Sequence, residues 1–229
     1  MNNTLLTPRL LKVCELVGKC KSCADVGCDH ARVAIWLCEN ERVERVIATD
    51  VHRGPIERAR AAVKNAGLEQ KITCILTDGL EGAGKTDAVI IAGMGGDLIA
   101  DILSRAPWSL EEGTRLVLQP MTAAWRLRKF LFENRCAIDA EEYAKEGRRL
   151  YAVLRTGGEF SADSCPDESY FYISRAAQDS PLVGEYAAAT VKKLKSELAG
   201  LERAIKPDTA AIEHRKTAIE LLARRFDIK

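Results

Sequence analysis

Apolar residues along this chain fall into two alternating patterns. Short β-branched runs, most of them closed by an acid or a glycine, are separated by stretches whose apolar positions recur three or four residues apart. The first pattern reads as buried strands and the second as amphipathic helices. A helix is expected over residues 4–18, with Thr7 as N-cap, Pro8 in the first turn and Gly18 at the end. Leu10, Leu11, Cys14, Leu16 and Val17 form its apolar side, while Arg9 and Lys12 lie opposite. A strand then runs through Ser22-Cys23-Ala24-Asp25-Val26 to Gly27, followed by a helix over 30–39. A second strand, 43–49, ends at Asp50, and Pro55 opens a helix that Gly67 stops. Residues 71–76 make a third strand, closed by Thr77-Asp78-Gly79.

The run Asp87-Ala88-Val89-Ile90-Ile91-Ala92 is a fourth strand, ending in Gly93-Met94-Gly95-Gly96 before a helix from Asp97 to Arg105. Residues 114–119 form a fifth, and Trp125–Phe130 lie on the helix after it. Residues 136–144 and 148–156 pair as a hairpin around Gly147. Gly157-Gly158 and Ser161–Pro166 then mark a boundary. Beyond it Ala187, Val191, Leu194, Leu198, Leu201 and Ile205 follow heptad spacing. Pro207-Asp208 breaks the chain, and Ile212, Ile219, Leu222 and Phe226 continue a second apolar face. The expected fold is α/β: a seven-stranded Rossmann-like sheet over 1–158, then an antiparallel helical hairpin, a coiled coil, over 159–229. Lys192, Lys193, Lys195, Arg215, Lys216, Arg224 and Arg225 are expected outside the seam.

Composition narrows the picture little. The chain has 229 residues, 47% of them hydrophobic and 29% charged, with a net charge of +1. A nucleic-acid surface would have to be a local patch. No apolar run approaches the roughly 20 residues of a membrane span, and Met1-Asn2-Asn3-Thr4 has no signal-peptide pattern, so a cytoplasmic location is expected. Eight cysteines include one Cys-x-x-C, Cys20 and Cys23, but no second pair to complete a zinc site. They read as small buried thiols, with no metal expected.

The turn after the first strand carries the chemistry. A ligand in such a sheet sits beyond the carboxyl ends of the strands. Gly27 offers bare backbone there, and Asp29 is placed to cap the next helix. A dinucleotide fingerprint, Gly-x-Gly-x-x-Gly, fails twice, at Asp29 and Arg32. An S-adenosylmethionine turn, acidic-x-Gly-x-Gly-x-Gly, fits Asp25 and Gly27, with Asp29 and Ala31 replacing its later glycines. Asp50 stands at a strand end where a carboxylate takes a ribose diol. Asp78 is a third acid after a third strand. Gly79–Thr86 matches a phosphate-binding loop, but a strand follows where that motif requires a helix.

Five segments together resemble one family. These are Leu6-Thr7-Pro8-Arg9-Leu10, Ala24-Asp25-Val26-Gly27-Cys28-Asp29-His30-Ala31, Asp78-Gly79-Leu80, Ile91-Ala92-Gly93-Met94-Gly95-Gly96 and Leu118-Gln119-Pro120. In order over residues 6–156 they resemble the bacterial tRNA (adenine-22-N1)-methyltransferases, class I enzymes dependent on S-adenosylmethionine, and the helical hairpin resembles that family's coiled coil. Met121 and Cys28 depart from it, where asparagine and serine are expected. The resemblance implies methylation of N1 of an adenine in the tRNA D-arm. It implies cofactor contacts from Asp25, Gly27, Asp29, His30, Asp50, Val51, Asp78, Gly79, Gly93, Met94 and Gly95. Asp29 is the candidate catalytic residue, and Arg9, Arg126, Arg128 and Lys129 are candidates for tRNA. The rival readings are a methyltransferase for another RNA, a protein or a small molecule, a nicotinamide oxidoreductase, and a non-enzymatic RNA-binding module. Oligomeric state is not legible.

Overall fold

The computed structural model describes residues 6–158, 160, 167–204, 206 and 208–229. The start of the chain, the boundary stretch Ser161–Pro166, Cys165, Ile205 and Pro207 lie outside the described residues. Helix α1 (Pro8–Val17) is capped by Thr7, whose side chain accepts from the Leu10 amide. Five parallel strands follow: β1 (Cys20–Val26), β2 (Val43–Asp50), β3 (Ile72–Leu76), β4 (Ala88–Gly95) and β5 (Arg115–Thr122). The hairpin β6 (Ala137–Glu146) and β7 (Arg149–Gly158) joins through β7, antiparallel to β5. The strand order is β3-β2-β1-β4-β5-β7-β6. It reverses between β1 and β4, so the ligand crevice opens at their carboxyl ends.

Both faces of the sheet are covered, which is why its central strands read as unbroken apolar runs. Cys23, Val46, Ala88 and Ile90 face α1, α2 (Arg32–Glu39) and α3 (Arg53–Asn65). Ala24, Val89, Ile91 and Leu118 face α4 (Gly96–Ser104) and α5 (Ala124–Glu133). Side chains alternate along each strand, so neighbouring apolar residues enter opposite cores.

A short helix α6 (Glu168–Tyr172) precedes the long pair α7 (Val183–Glu202) and α8 (Thr209–Arg225). The heptad positions Ala187, Val191 and Leu194 are buried, packed with Ala218 and Leu222, while Leu198 and Leu201 are half-buried. The pair does not stand free of the sheet. Its apolar cluster includes Tyr143 and Ala152 of β6 and β7, and the Tyr143 and Tyr186 rings stack at 4.2 Å.

Three expectations need correction. Asp29 does not cap α2: the N-cap is Ala31, with no side-chain bond. Asp29 itself is in the left-handed region at φ 42, and its carboxylate instead meets Arg58 at 3.2 Å. Arg215 and Arg225 are not free for RNA. Arg215 binds Glu197 at 3.0 Å, and Arg225 donates to the Ile173 and Ser174 carbonyls at 2.7 and 2.9 Å. Arg128, expected among the tRNA candidates, is not available to tRNA. It sits between Leu127 and Leu131 on the inward stripe of α5, 1% exposed, and pairs with Glu141.

Candidate functional site

The crevice is stitched together by one buried threonine. The Thr49 carbonyl, near the end of β2, accepts from the Gly27 and Cys28 amides at 2.8 and 3.0 Å. Its hydroxyl donates to the Gly79 carbonyl at 2.8 Å. One residue thus fixes the turn after β1 and the turn after β3, and brings Asp25, Asp50 and Asp78 to one end of the sheet. Gly27 is favoured by its backbone conformation. Its φ is +70, which strains any residue with a Cβ, and a Cβ there would also displace the terminal methyl of Met94.

Asp25 is 4% exposed, and its Oδ2 has no hydrogen-bond partner among the described residues. Burial pushes its carboxyl up from 3.8 to about 7, with the Ala34 amide opposing and the Asp50 charge adding to the rise. An orphaned carboxylate oxygen here matches a ligand that brings a cation. Asp50 keeps its side chain mostly buried and, among the described residues, accepts only from the His52 amide of its own turn at 3.0 Å, lying 3.5 Å from the His52 ring. Val51 beside it is 57% exposed, an apolar surface at a strand end. Asp78 is held by Arg105 at 2.9 and 3.2 Å, so a ligand reaching it must share or displace that guanidinium. His30 lies 3.8 Å from Asp29.

The β4 end is organised by Gln119, which is fully buried. Its Oε1 accepts from the Gly93 amide at 3.0 Å and from Arg9 Nη1 at 2.5 Å. Arg9 also donates its backbone amide to Glu146 Oε1 at 3.0 Å and places its guanidinium 5.5 Å from the Tyr151 ring centroid. Arg9 is therefore held against the Gly93 turn through Gln119. Gly96 is needed for packing, since a Cβ would strike the Ala123 carbonyl. Thr49 and Gln119 escaped assignment from sequence. The signal for Gln119 was present: an amide closing an otherwise apolar strand.

The α5 candidates separate. Arg126 meets Asp97 at 2.9 Å and Lys129 meets Glu133 at 3.9 Å, all exposed, while Arg128 is committed to the interior. In the phosphate-loop look-alike, Lys85 pairs with Glu111 at 2.6 Å and Thr86 donates to the Ala88 carbonyl, leading straight into β4. Among the described residues, no group of three or more His, Cys, Asp or Glu is placed to hold a metal ion, and no helix is long and apolar enough to cross a membrane. Every described cysteine is free, and burial pushes the thiols up, Cys38 to about 11.

Residues 6–154 match the family described as methyltransferase domain. The tRNA (adenine(22)-N(1))-methyltransferase of Bacillus subtilis is 36% identical over 156 residues, covering 67% of this chain and 66% of that enzyme. The solved structure of the Bacillus subtilis M1A22 tRNA methyltransferase TrmK superposes with a TM-score of 0.79 at 27% identity, covering 99% of this chain and 97% of that one. A Streptococcus pneumoniae protein, Sp1610, solved in complex with S-adenosyl-L-methionine, gives a TM-score of 0.77 at 30% identity, covering 95% and 99% of the two chains. With the strand order, the acid-ended strands and the glycine turns all in place, this chain belongs to the methyltransferase domain family.

Proposed function

We propose that this chain transfers a methyl group from S-adenosylmethionine to N1 of adenine 22 in the D-arm of tRNA, in the cytoplasm. The observation that carries the reading is the 36% identity to the Bacillus subtilis enzyme named for that reaction.

The residues present fit the cofactor. S-adenosylmethionine carries an ammonium, and the buried Asp25 Oδ2 lacks a partner among the described residues. Asp50 supplies a carboxylate for the ribose diol, Val51 an apolar face, and Gly27 an approach unobstructed by a Cβ. When bound, the cofactor supplies an electrophilic methyl group. Adenine N1 carries an in-plane lone pair, so no residue has to remove a proton before attack. The chain's task is alignment and exclusion of water. Gln119 holds the Gly93 turn and Arg9 in fixed positions for that task. Asp29, paired with Arg58, contributes charge at the turn and is not needed as a base. N1 lies on the pairing edge, so the adenine must be presented unpaired. The helical pair α7 and α8 serves as the unit that meets the rest of the tRNA.

Nucleoside mass spectrometry of tRNA from a deletion strain tests the reading. Loss of 1-methyladenosine at position 22, restored by the intact gene, is expected. An unchanged modification level would refute it.

A further inference from the structure

A groove runs between the catalytic sheet and the helical pair. One wall is Thr122 and Ala123, at the end of β5, which touch the Gly95–Gly96 turn. The other is Lys193 and Glu197 of α7 with Arg215 of α8. The groove volume is about 470 Å³, and a second hollow of about 320 Å³ continues it, both within the usual size of ligand sites. Trp125 lines both. The Arg126 and Arg215 guanidinium carbons lie 5.3 and 5.5 Å from its ring centroid, and the His214 ring tilts toward it at 5.4 Å.

An aromatic ring flanked by guanidiniums is the composition that stacks nucleobases in unpaired RNA. The carboxylates in the groove do not forbid it. Asp97, Glu197 and Glu168 are each matched by Arg126, Arg215 and His214. The Arg126–Asp97 pair is exposed and pairs of that kind contribute little, so a phosphate exchanges for that carboxylate at small cost. The location supplies the need. Extruding a target adenine leaves its neighbour without a stacking partner, and this groove begins beside the turn where the methyl group is transferred.

We propose that Trp125 is the stacking platform for a tRNA base next to the target, with Arg126 and Lys193 taking the adjoining phosphates. This rests on the tRNA reading above.

The test uses the full chain, an unmodified tRNA transcript with adenine at position 22, and filter binding over a salt series. Trp125→Ala should weaken tRNA binding by about tenfold or more, with the salt dependence unchanged because stacking releases no counterions. Trp125→Phe, which keeps a ring, should lose less than about threefold. Lys193→Ala, at the rim, should lower the salt slope by about one. S-adenosylmethionine affinity should match the parent in all three. Unchanged tRNA affinity in a folded Trp125→Ala chain would overturn the proposal. Trp125 also stacks on Tyr172 at 6.2 Å. If the alanine chain misfolds, unchanged salt slopes in both Lys193→Ala and Arg126→Ala would overturn it instead. A parent chain that binds the cofactor but methylates no transcript would refute the tRNA reading itself, a separate failure.

Discussion

Arg128 and Glu141 form a two-point ion pair, Nη2 to Oε1 at 2.7 Å and Nε to Oε2 at 3.1 Å, with both side chains out of contact with water. The Glu141 carboxylate also accepts from the Tyr143 hydroxyl and from the Ser174 amide, and Arg128 donates to the Phe171 carbonyl. The pair thus joins α5 and β6 to the segment leading into the helical pair. Burial alone would raise the Glu141 carboxyl, but Arg128 and the hydrogen bonds hold it below its usual 4.5. Its stabilising contribution is present above that value and is lost as pH falls below it. Arg128→Ala strands a buried carboxylate and should cost about 3–5 kcal/mol. Arg128→Met with Glu141→Leu should recover much of that loss, short of the Ser174 amide left unpaired, about 1–3 kcal/mol. Thermal unfolding followed by circular dichroism measures both. Additive losses would mean the two groups do not act as a pair.

Asp25 predicts a pH dependence of the opposite sense. The folded chain holds its proton up to about 7, against 3.8 for a free carboxyl. Unfolding therefore releases a proton between those values, and stability falls as pH rises through that window. Facing it are Asp50, which raises it further, and the thiols of Cys14, Cys23, Cys28 and Cys74, all pushed upward by burial and neutral in this range. A cationic cofactor pairs only with the ionised carboxylate. Calorimetry should show S-adenosylmethionine binding on the order of twentyfold weaker at pH 5.5 than at pH 7.5. Asp25→Asn should flatten the profile. A flat profile in the parent chain would detach Asp25 from the cofactor.

The sheet was legible because each strand end carries its own punctuation. Asp25-Val26-Gly27, Asp50, Asp78-Gly79 and Gly93–Gly96 fall where β1 to β4 stop or just beyond. Other features depend on which neighbour a residue meets, and spacing does not encode that. Arg128 reads as one more cation beside Arg126 and Lys129, since only the docking of α5 decides which side turns inward. Helix α6 has five residues, too few for a period to show. Thr49 is an ordinary β-branched strand residue until its hydroxyl finds Gly79. The seam of α7 is visible, but not that Tyr143 and Ala152 of the sheet complete its cluster.

Asp50 is the most direct test of the cofactor site. Its side chain is largely buried, and its partners among the described residues lie within its own turn. Asp50→Ala should remove charge-assisted hydrogen bonds of about 1.5–3 kcal/mol, roughly ten- to hundredfold in S-adenosylmethionine affinity by calorimetry. Asp50→Asn, which keeps one acceptor, should lose less. Affinity equal to the parent in both variants would take the ribose contact away from Asp50.

The docking of α7 and α8 on the sheet decides what truncation does. A chain ending at Gly158 would keep every acid and glycine of the crevice, and by sequence alone it should bind cofactor normally. The contacts argue otherwise. Such a chain exposes Tyr143 and Ala152, removes the Tyr186 ring from the stack, and takes away the Ser174 amide and Phe171 carbonyl that complete the Arg128–Glu141 pair. Each hydrogen bond to a charged group is worth about 1.5–3 kcal/mol, and loss of both is a large share of a domain's stability. The truncated chain should melt at lower temperature and tend to aggregate, with cofactor binding reduced in proportion to the unfolded fraction. The remedy separates stability from RNA binding. Adding Arg128→Met and Glu141→Leu to the truncation removes the stranded charges and should raise its melting temperature, while tRNA binding stays lost. A truncated chain that melts with the full-length protein would show that the helical pair merely rests on the sheet.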